Sequence, residues 1–310
     1  MRVLITGASG FAGGHLALAC AAAGDGVVGL SRTGRVSAGA GRAVDLRDAD
    51  ATREAVREAK PDAVYHLAAL SSVGRSWEAP GQTMTENTAT AVNVLDAVRH
   101  EAPAARVVWV SSCEVYAADQ ALPIAEDGEL GPATPYAVSK LGGDLLAQVY
   151  SEAYGLDLVS VRPFNHAGPG QRPIFVLSSL ARQAAEARRS GAKDIRIVTG
   201  NSDTRRDFTD VRDVVRAYRL LAQPGTSGVY NVSSGRSVST ADQINLIAEL
   251  IAPTRVEHVI DPALIREHEV MDRRGSHEHL TADTGWEPEI PLRQTMADTV
   301  AWWEEHLPEP

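Results

Sequence analysis

Residues 1–14 read MRVLITGASGFAGG, and this stretch decides the fold. Val3, Leu4 and Ile5 are a short apolar run of the kind that forms a buried strand. Gly7, Gly10 and Gly13 follow at three-residue spacing, and an apolar helix pattern opens at Phe11 and runs to Ala23. Glycines permit a tight turn and a close approach of backbone to a pyrophosphate, whose charge then rests on the helix N-terminus. A glycine triplet alone is a weak signal. Its place between a strand and a helix start gives it weight. The other reading is a plain glycine-rich strand–helix turn.

The next segments extend this unit. A second strand over 26–30 ends in Ser31-Arg32, with Arg35 close behind. An acidic residue at this strand end suits a ribose 2′-hydroxyl, and an arginine suits a 2′-phosphate. Arg32 therefore predicts that NADP(H) is preferred, with NAD(H) possible. The alternative for Arg32 is a solvated loop charge. Strands are expected to end at Asp45-Leu46 and to span 63–67, 106–110 and 156–161. Helices are expected over 48–58, 86–99 and 136–154. Alternation at this spacing implies parallel β-α-β units, hence an α/β protein with a Rossmann-type, doubly wound parallel sheet. Asp45 is read either as a contact to the adenine amino group or as a helix N-cap.

After Pro163 the pattern loosens. Helices are expected over 174–189, 211–221, 240–251 and 292–307, with loops between them. The division expected is an NAD(P)-binding Rossmann domain over 1–163. A smaller C-terminal substrate-binding lobe covers most of 164–310, with some segments returning to the sheet. Trp302 and Trp303 read as packing.

Composition bounds the function. The chain has 310 residues, 44% hydrophobic and 23% charged, enough for a large core. Net charge is −10, which argues against a general nucleic-acid binder. No apolar run approaches membrane-spanning length, so a soluble cytoplasmic protein without membrane partners is expected. Cys20 and Cys113 make no disulfide framework; Cys20 reads as helix packing and Cys113 as a pocket wall. No metal is assigned.

The chemistry lies further along. Tyr136 and Lys140 stand at i and i+4, on one helix face. A neighbouring ammonium favours a phenolate, so a lowered Tyr136 pKa is expected. Ser112, just past the strand over 106–110, is placed to hydrogen-bond a substrate oxygen that Tyr136 protonates. A Tyr-x-x-x-Lys by itself is common. The upstream glycine turn and the Ser-Ser at a strand end make the catalytic reading the stronger one.

These segments together resemble the extended short-chain dehydrogenase/reductases, the NAD-dependent epimerase/dehydratase family, nearly end to end. The quoted matches are TGASGFAG at 6–13, HLAA at 66–69, Asn87, SSCEVYA at 111–117 and YAVSK at 136–140. Further segments resemble the branch that reduces GDP-4-keto-6-deoxy-D-mannose: RPFNHAGPGQ at 162–171, TRRDFTDVRDVV at 204–215, YNVSSG at 230–235 and RRGSHEHLTADTGWEPEIPL at 273–292. GDP-mannose 4,6-dehydratases share several of them.

The resemblance implies cofactor contacts from Gly7, Ser9, Gly10, Phe11, Ala12, Arg32, Asp45, Leu46, Leu67, Ala68, Ala69, Tyr136, Lys140 and Pro163. It implies a GDP-linked sugar held by Ser71, Ser112, Asn165, Arg182, Arg206, Arg266 and Glu269. Guanidinium forks suit phosphate oxygens, and a carboxylate accepts from vicinal hydroxyls. Arg206 beside Asp207 also reads as an internal ion pair, and Arg182 and Arg266 as surface charges. Glu114 occupies the place of the dehydratases' catalytic base, and some reductases keep a glutamate there too. Ala117 departs from the glycine usual in the family.

The expected function is NADP(H)-dependent reduction of the C4 keto group of a nucleotide-linked 6-deoxy sugar, giving GDP-D-rhamnose. The alternatives are a dehydratase or epimerase recycling a tightly held cofactor, and a cofactor-sensing protein without turnover. A homodimer through a four-helix bundle is carried over from the family.

Overall fold

The computed structural model describes residues 1–265 and 269–308. β1 (Arg2–Thr6) leads through the glycine turn to α1 (Phe11–Ala22), β2 (Gly26–Ser31), β3 (Ala40–Ala43), α2 (Ala49–Ala59) and β4 (Ala63–His66). Then come α3 (Val73–Glu78), α4 (Pro80–Glu101), β5 (Arg106–Val110), α5 (Pro135–Tyr154) and β6 (Leu158–Pro163). The second half holds β7 (Asn165–Ala167), α6 (Val176–Ser190), β8 (Asp194–Thr199), β9 (Arg205–Asp210) and α7 (Val211–Leu221). It continues with β10 (Gly228–Val232), β11 (Ser237–Ser239), α8 (Thr240–Leu250), β12 (Arg255–Ile260), β13 (Asp272–Arg273), α9 (Glu278–Thr284) and α10 (Leu292–His306).

Seven strands form one sheet in the order β10-β6-β5-β4-β1-β2-β3. Every pairing in it is parallel. Both faces of a parallel sheet are covered by crossover helices, which explains why β4, β5 and β6 are buried along their whole length. One face packs on α1 and α7 through Val3, Ile5, Leu16, Val214 and Tyr218. The other packs on α2, α4 and α5 through Leu4, Val56, Leu95 and Ala147. The order reverses between β1 and β4, and open α/β sheets bind ligands outside the strand ends at such a point.

The chain returns to this sheet late. β10 pairs with β6 at the sheet edge, and α7 packs on α1. The small lobe has its own core, where α6, α8 and α10 bury Leu177, Ile247, Met296 and Trp303. Trp303 packs as expected and its indole N–H donates to Ser178 at 3.0 Å. Cys20 is likewise buried in the main core.

Several boundaries differ from expectation. α4 starts at Pro80 rather than at position 86, because proline is pre-shaped for the first helical turn and the polar run after it hides the helix from periodicity. β3 ends at Ala43, short of Asp45-Leu46, where Asp45 opens a turn with its carbonyl accepting from Asp48. β6 starts at Leu158 because Gly155, at φ +69°, first ends α5.

Candidate functional site

The glycine turn is dictated by close approach. Gly7 has φ +70°, and a Cβ there would stand 3.0 Å from the Ala68 backbone. A Cβ on Gly13 would meet the Gly7 carbonyl oxygen at 2.2 Å. α1 has no side-chain cap at Gly10, and Ser9 and Gly10 are exposed, so its first N–H groups are left without a capping side chain. Thr6 Oγ1 accepts from Leu67 and Ala68 N–H at 3.1 and 3.2 Å, holding the Leu67-Ala68-Ala69 strand end against this turn. An uncapped helix N-terminus in a Cβ-free cradle suits a dinucleotide pyrophosphate.

Arg32 is exposed at the end of β2, and among the described residues it makes no ion pair. Asp45 is committed to Arg47, whose guanidinium grips it at 2.6 and 2.9 Å and holds its carboxyl down at about 2. The N-cap of α2 is Asp48, which accepts from Ala51 N–H at 3.0 Å, so Asp45 does not cap that helix. Leu46 is buried beside it.

Tyr136 and Lys140 stand on the buried side of α5, as their spacing predicts. Thr134 caps that helix by accepting from Ala137 N–H at 3.1 Å, and Pro135 fills its first position. Asn87 accepts from Leu70 N–H at 2.7 Å and donates to Ser139 at 2.8 Å, tying the loop after β4 to α5. Ser112 stands two residues past β5 and is buried, its hydroxyl accepting from Glu114 N–H at 3.2 Å.

The protonation states correct one expectation. Tyr136 is not poised as a phenolate: burial pushes its pKa above the usual value, and the Glu114 and Cys113 charges add to the rise. Ser112 close to the phenol opposes this, but burial wins. Lys140 does not lower the phenol, because its ammonium is turned to the Val110 carbonyl at 2.5 Å. Burial pulls Lys140 itself down to about 8, against the Asp144 carboxylate one turn along. The site therefore holds a neutral phenol beside a serine hydroxyl, an arrangement able to donate a proton.

The opposite wall comes from the second half of the chain. Asn165 begins β7, and its side-chain amide makes no hydrogen bond among the described residues. Arg206 on β9 donates to the carbonyls of Arg205 and Val270 at 2.7 and 2.8 Å. Its neighbour Asp207 accepts instead from Ser234, Gly235 and Gly275 N–H groups, so the two form no internal pair. Burial lowers the Arg206 pKa, while the Glu114 carboxylate and, more weakly, Glu269 raise it. Glu114 and Glu269 thus face the same guanidinium.

Arg273 was not singled out from the sequence. It pairs with Arg206 across β13 and β9, is 3% exposed, and donates to the Cys113 carbonyl at 2.7 Å. Its only sequence signal was membership of the segment at 273–292. Cys113 is buried and its thiol is pushed up to about 12, which suits a wall residue rather than a nucleophile. Ala117 packs beside Gly131, where a Cβ would come within 2.9 Å of its methyl. Ser71 is exposed ahead of α3, and Pro163 ends β6 in buried surroundings. Arg182 on α6 is bonded to Glu186 at 2.8 Å and lies 5.8 Å from the Trp303 ring. Arg266 lies outside the described residues.

Comparison with known proteins shows which family the chain belongs to. A family model described as GDP-mannose 4,6 dehydratase matches residues 4–299. The chain is 37% identical to a GDP-6-deoxy-D-mannose reductase of Pseudomonas aeruginosa over 99% of both chains. It is 33% identical to a UDP-glucose 4-epimerase of Mycolicibacterium smegmatis over 98% of both. Among solved structures, that of RMD from Pseudomonas aeruginosa complexed with NADPH superposes with a TM-score of 0.86 at 34% identity, covering 99% of this chain and 100% of that one. With the doubly wound sheet, the glycine cradle and the Ser112–Tyr136–Lys140 cluster in place, the chain belongs to the GDP-mannose 4,6-dehydratase family of short-chain dehydrogenase/reductase enzymes.

Proposed function

We propose that this enzyme reduces the C4 keto group of a GDP-linked 6-deoxy sugar, GDP-4-keto-6-deoxy-D-mannose, with NADPH preferred and NADH possible. The observation that carries the reading is the buried, neutral Tyr136 phenol beside Ser112, with the Glu114 carboxylate acting on both that phenol and the Arg206 guanidinium. Whole-length likeness to a GDP-6-deoxy-D-mannose reductase supports the substrate.

Bound NADPH supplies the hydride. The glycine turn holds its pyrophosphate, Leu67 to Ala69 and Pro163 line its path, and Arg32 meets the 2′-phosphate. Tyr136 donates its proton to the oxygen developing on C4. Ser112 orients that carbonyl and stabilises its growing negative charge. Lys140 holds the nicotinamide ribose. On the sugar side, Asn165 and Arg206 meet the diphosphate, Glu269 accepts from the nucleotide ribose, and Ser71 borders the sugar. Arg182 would have to exchange Glu186 for phosphate to take part. The product is GDP-D-rhamnose, or its C4 epimer if the other sugar face is presented.

The dehydratase reading keeps one observation of its own: the Glu114 carboxylate is close enough to raise the Tyr136 phenol, so it lies at the reacting edge. One assay separates the two. Purified protein is given GDP-4-keto-6-deoxy-D-mannose and NADPH, and absorbance at the nicotinamide band is followed. Stoichiometric NADPH loss with a GDP-6-deoxyhexose formed sustains the reductase. Conversion of GDP-mannose to the keto sugar without added cofactor would assign Glu114 the base role instead.

The enzyme is proposed to work as a cytoplasmic homodimer. Val138, Leu145 and Val149 form an exposed apolar stripe on α5, with Val92 on the adjacent α4. Pairing two such helix pairs would bury it as a four-helix bundle.

A further inference from the structure

The first turn of α1 touches the loop after β6 through three rings. Phe11 and His166 stack with their planes 5° apart and centroids 6.0 Å apart. His15 meets Phe11 edge-on at 5.4 Å, and its Nε2 lies 2.8 Å from the Pro169 carbonyl. A carbonyl oxygen only accepts, so His15 carries its proton on Nε2 and donates it. Phe11 and His15 are one turn apart, hence on one face of the helix that receives the cofactor pyrophosphate. On β7, His166 follows Asn165 directly, and its Nδ1 donates to the Phe164 carbonyl at 3.2 Å. Gln171 donates to the His166 carbonyl at 2.8 Å, and a Cβ on Gly168 would strike Val211 at 2.8 Å. The segment 164–171 is therefore seated directly on the start of α1.

We propose that Phe11, His15 and His166 form a clamp through which an occupied cofactor turn tightens the loop that holds the sugar nucleotide. This rests on the assignment of the glycine turn to the cofactor and of Asn165 to the substrate diphosphate. A pyrophosphate on the α1 N-terminus orders the first turn, and the rings pass that order to residues 164–171. The coupling is reciprocal: nucleotide sugar tightens the cofactor by the same factor. His15 touches neither ligand in this scheme and is a positioning residue.

The test uses the intact protein with GDP as probe. GDP affinity is measured by calorimetry with and without NADP+, and amide exchange of residues 164–171 is followed on adding NADP+ alone. In wild type NADP+ tightens GDP by about fivefold or more, the lower end of ordinary coupling between sites, and slows exchange in the loop. His15→Ala leaves both ligands binding, with the tightening cut below about twofold and the exchange response gone. His15→Gln, whose amide can still donate to the Pro169 carbonyl, restores most of both. An unchanged tightening and exchange response in His15→Ala would overturn the clamp. A wild type that binds no GDP, yet shows an exchange response lost in His15→Ala, sustains the clamp and counts against the GDP-sugar substrate instead.

Discussion

The edge proposed for the cofactor and the edge proposed for the sugar are built differently. The cofactor edge comes from consecutive β-α-β units, and its turn is set by contacts such as Gly13 against Gly7. The sugar edge is assembled from short segments far apart in the chain: β7, β9, β13 and the loop after β5. The first is a rigid cradle with few charges, the second a partly buried cluster in which Glu114, Arg273 and Glu269 act on the Arg206 guanidinium. One edge is defined by shape, and the other by charge.

Variants can break or sharpen that contrast. Tyr136→Phe removes the proton donor and should lower kcat by about 100- to 10,000-fold, the usual range for general acid catalysis. NADPH binding, followed by fluorescence titration, should survive. Loss of cofactor binding instead would make Tyr136 part of the cradle.

Lys140 gives the next largest effect. Its folded pKa is about 8 against an ordinary 10.5, so between these values the unfolded chain binds the extra proton. Burial of the ammonium therefore costs stability below pH 8, and that cost fades as pH rises toward 10.5. The change is on the order of 3 kcal/mol. Denaturant melts across this window should show wild type gaining stability relative to Lys140→Met. Parallel curves would show that the ammonium is better solvated than its burial implies.

Arg206→Ala should raise KM for the sugar nucleotide by about tenfold to a hundredfold, the worth of hydrogen bonds to a charged group. The KM for NADPH should stay level. A kcat loss at constant KM would move Arg206 from binding to chemistry.

The smallest effect belongs to the exposed Arg32. Arg32→Ala should weaken NADPH by about tenfold while leaving NADH unchanged, as one charge-assisted contact to a 2′-phosphate requires. Equal loss for both cofactors would make Arg32 a general structural charge.

Much of this was legible beforehand, and the misses have physical causes. The strand–glycine–helix start, the alternation and the Tyr136–Lys140 face are local patterns with fixed periods. The start of α4 at Pro80 was hidden because its first turns carry polar residues. Of the two readings of Asp45 the helix cap fails, because Asp48 three residues on caps α2. Arg273 was missed because its meaning comes from lying beside Arg206, a neighbour only through strand pairing.

By itself the sequence determined the architecture, the turn able to cradle a pyrophosphate and the placing of Tyr136 and Lys140 on one helix face. Helix and strand periods, and the steric freedom of glycine, act over a few residues at a time. Only the tertiary structure decided that Tyr136 stays protonated, that Asp207 serves backbone N–H groups rather than Arg206, and that Arg206 and Arg273 share one wall. Those outcomes depend on burial and on pairings between distant segments. A charge's energy is set by what surrounds it, and neighbours in sequence do not record that.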